Sequence, residues 1–163
     1  MTYQIKLSKV DHIAIAVKNI DEALAFYVDL LGFTLHTRRE VRGKFSGMKS
    51  AELSAGKGFS IVLVQGTEPE SQVCRYIEEF GPGIQHLAFA VENVEHVADQ
   101  LKGQGLEFAT QVLHGQSLVQ IFTKRDQNSG MMIELIERRK ANDDFEGDNI
   151  EMLFKQLEES NAY

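Results

Sequence analysis

Two histidines stand in matching sequence contexts, one in each half of the chain. His12 lies in the segment Val-Asp-His-Ile-Ala-Ile-Ala-Val, and His86 lies in Gly-Ile-Gln-His-Leu-Ala-Phe-Ala-Val. Alternate side chains of a β-strand share a face, so each imidazole is followed on its own face by two alanines. Larger apolar residues occupy most of the opposite face. A single imidazole beside small residues indicates a cavity, and its recurrence indicates that the chain is internally duplicated.

Glu134 is a third residue that could do chemistry, because it interrupts the apolar run Met-Met-Ile-Glu-Leu-Ile. A carboxylate in the middle of a core strand costs free energy unless it is paired or bound to a metal. A salt bridge to an arginine, or a solvent-facing side chain, would also account for it, and a single histidine is more often a hydrogen-bonded core residue than a ligand. The three residues together nevertheless predict a metal site at His12, His86 and Glu134. Two histidines and one carboxylate leave coordination positions open, which suits ferrous iron.

Periodicity and turn residues predict the same order of elements, strand, helix and three strands, in both halves of the chain. The predicted elements of the first half are a strand near 9–17, a helix between Asn19 and Gly32, and strands near 34–41, 47–53 and 59–65. Those of the second half are a strand near 86–91, a helix after Asn93, and strands near 106–113, 118–123 and 131–137. A short helix near 71–80 joins the halves, and a last amphipathic helix begins near Asn149.

Composition restricts the compartment and the partners. The chain has 163 residues, of which 43% are hydrophobic and 25% charged, as in ordinary globular proteins. Its apolar runs fall short of the roughly 18 residues of a membrane span, and residues 1–8 lack a signal-peptide core, so we expect a cytoplasmic protein. Cys74 is the only cysteine, which fits a reducing compartment. The net charge of −7 argues against nucleic acid and anionic membranes as partners.

Several segments of the sequence resemble the vicinal oxygen chelate (glyoxalase/bleomycin resistance/dioxygenase) superfamily, and the resemblance covers nearly the whole chain. The opening, from Val10 through Gly32, resembles methylmalonyl-CoA epimerase. The second half resembles the catalytic domain of 4-hydroxyphenylpyruvate dioxygenase and its relative hydroxymandelate synthase. The segments that carry this second resemblance are Gly-Pro-Gly-Ile-Gln-His-Leu-Ala at 81–88, Leu-Val-Gln-Ile-Phe-Thr-Lys at 118–124, and Ile-Glu-Leu-Ile-Glu-Arg at 133–138.

The resemblance implies an α+β fold in which two βαβββ modules form a cupped mixed sheet around a metal site, with an added C-terminal helix. Residues 1–163 would form a single domain. Module one would span 9–66, a linker 67–82, module two 83–138, and a connector with the C-terminal helix 139–163.

The resemblance also implies a non-haem Fe(II)-dependent dioxygenase that acts on a 2-oxo acid with O2. His12, His86 and Glu134 would be the iron ligands, with Co, Mn, Ni or Zn as alternative metals, and no catalytic residue is assigned beyond them. The residues that would contact substrate are Ser50, Gln72, Gln120, Phe122, Phe145 and Phe154. Phe145 and Phe154 would belong to a lid formed by the last helix, which could instead dock on a second subunit of a homodimer.

Two other functions remain open from the sequence. A methylmalonyl-CoA epimerase-like isomerase or lyase would also use a divalent metal, often with a fourth ligand from the strand near 59–65. The centre of that strand offers Val62 and its apolar neighbours, although Gln65 near its end is a candidate. The second alternative is a metal-free resistance protein that binds a small molecule, and the intact ligand set argues against it.

Overall fold

The structure, a computed structural model, describes residues 5–139 and 147–160, with side chains of the last helix described from Glu151 onwards. In these ranges the strands are β1 (Lys9–Ala16), β2 (Thr34–Arg42), β3 (Gly47–Ser54), β4 (Ser60–Gly66), β5 (Gly83–Ala90), β6 (Leu113–His114), β7 (Leu118–Phe122) and β8 (Met132–Arg138). The helices are α1 (Ile20–Leu24), α2 (Gln72–Phe80), α3 (Val94–Gly103) and α4 (Gly147–Glu159).

All eight strands of the described ranges belong to one sheet, in the order β2-β3-β4-β1-β5-β8-β7-β6. β1 and β5 pair antiparallel at its centre, and each also pairs parallel with the last strand of its own half, β4 or β8. The remaining neighbours are antiparallel. The halves are therefore related by a local twofold axis between β1 and β5. The predicted α+β fold with two βαβββ modules in a curled mixed sheet is confirmed.

The first helix of each half starts at an asparagine, as the sequence predicted. The Asn19 side chain accepts from the Asp21 and Glu22 backbone N–H groups at 2.9 and 3.0 Å, and the Asn93 side chain accepts from His96 N at 2.8 Å. These bonds satisfy donors that would otherwise lack partners at a helix start. The regular helix predicted up to Gly32 is wrong in detail, because α1 continues as a π-helical segment, Ala25–Leu30.

The apolar core lies between the two capped helices and one face of the sheet. Ile20 of α1 packs against Ala51, Leu53, Ile61 and Leu63, the inward residues of β3 and β4. In the second half the corresponding cluster comprises Val91, Val94, Val97, Ala98, Val119, Ile121 and Leu135. Since neighbouring residues of a strand point to opposite faces, the residues between these core positions face the other side of the sheet, where the candidate site lies.

One predicted strand is largely missing from the described chain. Residues 106–113 were expected to be extended and paired, yet only Leu113 and His114 form a strand, with one isolated bridge between Phe108 and Thr123. Gln111 N donates instead to the Gln156 side chain of α4 at 3.0 Å. Docking of the last helix therefore replaces part of the sheet pairing. No helix in the described ranges combines the length and the apolarity needed to cross a membrane.

Candidate metal centre and cavity

Strand register brings His12, His86 and Glu134 together from three adjacent strands. His12 on β1 pairs with Ala88 on β5, and Ala88 pairs in turn with Glu134 on β8. His86 lies two residues before Ala88 on the same face of β5. One ligand atom from each of the three residues lies within 4.8 Å of the other two. Each ligand candidate is thus fixed by sheet hydrogen bonds rather than by a loop.

Glu134 Oε2 is the point on which both imidazoles converge. It lies 2.9 Å from His12 Nε2 and 3.4 Å from His86 Nε2. The His12 and Glu134 side chains are 2% and 1% exposed, and Glu134 Oε1 has no hydrogen-bond partner in the described part of the chain. A buried carboxylate oxygen without a partner is costly. The three side chains therefore fit a divalent metal ion, for which imidazole nitrogen and carboxylate oxygen are ordinary ligands.

The other nitrogen of each ring is held by the residue that precedes it. His12 Nδ1 donates to Asp11 Oδ1 at 2.8 Å, and His86 Nδ1 donates to Gln85 Oε1 at 2.5 Å. Asp11 also accepts two bonds of 2.8 Å from Arg138, at the end of β8. Partners of this kind fix the tautomer and orientation of ligand histidines. Sequence analysis missed them, although Asp11 and Gln85 directly precede the histidines it selected.

Electrostatics distinguishes the two histidines in the metal-free protein. Burial lowers the pKa of His12, but the neighbouring Glu134 and Asp11 carboxylates more than offset it and raise the pKa to about 9. Burial lowers the pKa of His86. Burial would raise the pKa of Glu134, yet the charge and hydrogen bond of His12 bring it below its usual value. Without metal, therefore, a proton resides on His12 at neutral pH, and metal binding must displace it.

The triad opens onto a small cavity of about 70 Å³. Apart from the triad, its polar lining residues are Arg39, Ser50, Glu52, Gln72, Gln85 and Gln120. Its apolar lining residues are Met48, Val62, Val64, Val73, Phe122, Leu153, Phe154 and Leu157. Five of the six substrate contacts predicted from the sequence, namely Ser50, Gln72, Gln120, Phe122 and Phe154, thus lie in one cavity. The sixth, Phe145, lies outside the described residues.

Two glutamine side chains leave polar atoms unpaired in this cavity. Gln120 is 1% exposed, and neither its Oε1 nor its Nε2 has a hydrogen-bond partner among the described residues. Gln72 Oε1 is likewise unpaired there, while its Nε2 donates to the Phe154 carbonyl at 3.5 Å. Phe122 lines the same cavity, and its ring centroid lies 5.0 Å from that of His86 in a T-shaped arrangement. Buried amides without partners indicate that a polar ligand belongs here.

Val62 occupies the place where a fourth protein ligand would stand. It pairs with Ala14 on β1 as Glu134 pairs with Ala88 on β5, so the local twofold axis relates Val62 to Glu134. Gln65, the other candidate from the sequence, is used elsewhere: its Oε1 accepts from Ile20 N at 2.7 Å. The first half of the chain thus contributes one ligand candidate, His12, and the second half contributes two.

Helix α4 covers the cavity from the side opposite the sheet. Phe154 and Leu157 point into it and are 1% and 5% exposed. The Glu158 carboxylate accepts from the backbone N–H groups of Lys44 and Phe45 at 2.9 and 3.0 Å, and from Ser46 Oγ at 2.9 Å. The helix therefore docks on its own chain, through the turn between β2 and β3. Whether it opens as a lid stays a prediction.

Comparisons with known proteins agree with this geometry. A model of the glyoxalase/bleomycin resistance protein/dioxygenase superfamily matches residues 11–123. 4-Hydroxyphenylpyruvate dioxygenase of Pseudomonas aeruginosa is 26% identical over 94% of this chain and 52% of its own length, so the chain spans about half of that relative. The solved structure of methylmalonyl-CoA epimerase from Mycobacterium tuberculosis has a TM-score of 0.71 and 27% identity, covering 85% of this chain and 93% of that one. A mutant of 4-hydroxymandelate synthase from Streptomyces coelicolor has a TM-score of 0.82 at 22% identity, covering 93% of this chain and 53% of that one, a likeness of fold.

Proposed function

Since this chain belongs to the glyoxalase/bleomycin resistance protein/dioxygenase superfamily, as its motifs predicted, we propose that it is a non-haem Fe(II)-dependent dioxygenase acting on a 2-oxo acid. Members of the superfamily include metal-dependent enzymes that bind small molecules. The observation that carries the proposal is the three-residue ligand set with apolar Val62 in the fourth place. Such a set leaves positions for a chelating substrate and for O2.

His12, His86 and Glu134 would hold the metal. A ferrous ion bound there would supply Lewis acidity for the 2-oxo acid and the redox chemistry that O2 requires. The protein's contribution is to hold the ligands and their tautomers. Asp11 and Gln85 fix the tautomers by accepting hydrogen bonds from the Nδ1 atoms of His12 and His86.

The cavity wall would position the substrate beside the triad. Gln120 offers an amide donor and an amide acceptor, and Gln72 offers an acceptor, all buried. Phe122 would pack against the substrate body, and Ser50 lies on the opposite wall. Fixed groups of this kind reduce the entropic cost of bringing the reacting atoms together.

Helix α4 would exclude water from the reaction. Its Leu153, Phe154 and Leu157 side chains form the apolar cover of the cavity. Exclusion of water protects reactive intermediates from side reactions. Substrate would enter past this cover, and opening of α4 would then be part of the catalytic cycle.

The proposal is tested by loading the purified protein with Fe(II) under anaerobic conditions and measuring O2 uptake and CO2 release with a panel of 2-oxo acids. We expect at least one substrate to consume O2 and release CO2 in equal amounts. His86→Ala should remove this activity and the bound metal, while His96→Ala, on the exposed side of α3, should not. Metal-loaded protein that consumes no O2 with any 2-oxo acid would refute the proposal.

A methylmalonyl-CoA epimerase-like activity is the second candidate. It is favoured by the match to the epimerase structure over 93% of that chain. The apolar Val62 and the engaged Gln65 count against it, because they leave the first half without a second ligand. Incubating the Co(II)-loaded protein with methylmalonyl-CoA in D2O distinguishes the two candidates. Exchange of the α-proton, without O2 uptake from 2-oxo acids, would establish the epimerase activity.

A further inference from the structure

Each histidine of the candidate metal centre directly follows a β-bulge. The pairing of β1 with β5 skips one residue on each strand, Asp11 just before His12 and Gln85 just before His86. A bulge redirects a side chain at the cost of a local break in the hydrogen-bond ladder. Asp11 and Gln85 can therefore turn toward the rings that they hold, and contacts from outside the ladder must fix them there.

An arginine lies at each of the two bulges. Arg138 donates twice to the Asp11 side chain, both times at 2.8 Å. At the other bulge, Arg125 Nη1 donates to the main-chain carbonyl of Gln85 at 3.4 Å and to that of Gly130 at 2.5 Å. Arg125 lies in the connection between β7 and β8, so its guanidinium ties this connection to the bulge of β5.

Two aromatic rings of α2 hold the guanidinium of Arg125. Its central carbon lies 4.7 Å from the ring centroid of Tyr76 and 5.2 Å from that of Phe80. The Tyr76 hydroxyl also donates to the carbonyl of Ile84, the residue before Gln85, at 2.7 Å. A planar guanidinium stacks on rings while it donates in fixed directions, and a lysine ammonium does not reproduce this geometry. Arg125 and α2 thus fix the bulged residue together with its neighbour.

We propose that Arg125 is a positioning residue of the metal centre. It fixes the main chain of Gln85, whose side chain accepts from His86 Nδ1 at 2.5 Å and leaves Nε2 to face Glu134. The inference rests on the proposed metal ligands and not on the reaction proposed for them. The alternative is that Arg125 only closes the connection between β7 and β8 through Gly130. In that case its replacement would alter stability but neither the His86 ring nor metal binding.

The first experiment follows the His86 ring in the metal-free protein by nitrogen-15 NMR of labelled histidine. Arg125→Lys keeps the charge but loses the stacked, forked geometry. At neutral pH we expect both tautomers of His86 in this variant and the Nδ1–H tautomer alone in the wild type, while the His12 signals stay unchanged. Lys124→Met removes the adjacent exposed cation, which pairs with Glu107, and as the matched control should leave both rings unchanged.

The second experiment measures the dissociation constant of Co(II) in a double-mutant cycle that combines Arg125→Lys with Gln85→Leu. Arg125→Lys alone should raise the constant about tenfold, the lower end of the effect of outer-shell partners. In the Gln85→Leu background it should raise it by less than about twofold, because the residue through which Arg125 acts is then missing. If Arg125→Lys does not fold, Phe80→Leu replaces it in the same cycle, since Phe80 is 48% exposed and supplies one of the two rings.

A loss of Co(II) affinity that disappears in the Gln85→Leu background, together with a changed His86 ring, supports the inference. Unchanged affinity overturns it whatever the melting temperature, and so do equal losses in both backgrounds or an unchanged His86 ring. If the wild type does not bind Co(II) but the His86 tautomer still depends on Arg125, the positioning role stands and the proposed metal site fails.

Discussion

Replacing Asp11 by Asn should weaken metal binding although Asp11 is not itself a ligand candidate. Asp11 accepts from His12 Nδ1 and from Arg138, three contacts of 2.8 Å in all. Asparagine keeps the shape but removes the charge that holds His12 as the Nδ1–H tautomer and makes its Nε2 a stronger donor to metal. A hydrogen bond to a charged group contributes about 1.5–3 kcal/mol, so the dissociation constant should rise about 10–100-fold.

The size of this loss should depend on pH. In the wild type, metal must displace the proton of His12, whose pKa is raised to about 9. Without the Asp11 charge that pKa falls, and the variant loses less affinity to proton competition. The dissociation constant of the Asp11→Asn variant divided by that of the wild type should therefore be larger at pH 9 than at pH 7. Competition with a chromophoric chelator for Co(II) measures both dissociation constants at pH 7 and at pH 9.

The same substitution should also reduce the stability of the metal-free protein. Burial would raise the pKa of Asp11, but the hydrogen bonds from Arg138 and His12 lower it well below its usual range. A lowered pKa stabilises the fold above the unfolded value of about 4, and this stability is lost as the pH falls. Arg138, which is 13% exposed, would lose its contact with the Asp11 carboxylate, and breaking a buried ion pair in this way costs about 3 kcal/mol at neutral pH.

Asp99→Asn, on the exposed side of α3, is the matched control and should change neither the metal affinity nor the stability of the metal-free protein. Nitrogen-15 NMR of labelled histidine reports the tautomer of His12 directly. The reasoning is refuted if Asp11→Asn binds Co(II) within twofold of the wild type at pH 9 while the ring remains the same tautomer.

Four further outcomes are expected. A metal at about 1,000 times its dissociation constant should stabilise the fold by about 4 kcal/mol, seen as a rise in melting temperature that His86→Ala abolishes. Metal uptake at pH 7 should release about one proton per ion, measured by pH-stat titration, because the pKa of His12 is about 9 without metal. Glu158→Gln should increase hydrogen exchange across α4 at least severalfold, since a charged acceptor of three bonds is lost, with unchanged metal affinity. Val62→Glu should tighten Co(II) binding and weaken 2-oxo acid binding, both measurable by titration, because it adds a carboxylate at the fourth place.

The convergence of His12, His86 and Glu134 could be predicted because each of the three residues differs in character from its neighbours in the sequence. A histidine among alanines and a glutamate in an apolar strand are local signals, and duplication relates the two histidines. Arg138 gives no such signal, because its bond to Asp11 joins residues at opposite ends of the sequence. Glu52 was missed for a similar reason: polar and apolar residues alternate in its segment of β3, as in a strand with one solvent-facing side, and only the packing of the sheet makes it buried. The strand near 106–113 is interrupted because its pairing with β7 shifts register between Phe108 and Leu113, where Gln111 N donates to the Gln156 side chain of α4 instead.

The twofold relation between Val62 and Glu134 has a consequence for how such a site can arise. A half-length ancestor that paired with a second copy of itself through the β1–β5 seam would carry identical residues at these two places. It could offer two ligands or four, but never three. An odd number of ligands requires the halves to diverge independently, which becomes possible only when both are encoded in one chain. Fusion of the halves is therefore what would allow a three-residue centre of this kind to keep one side of a bound ion free of protein.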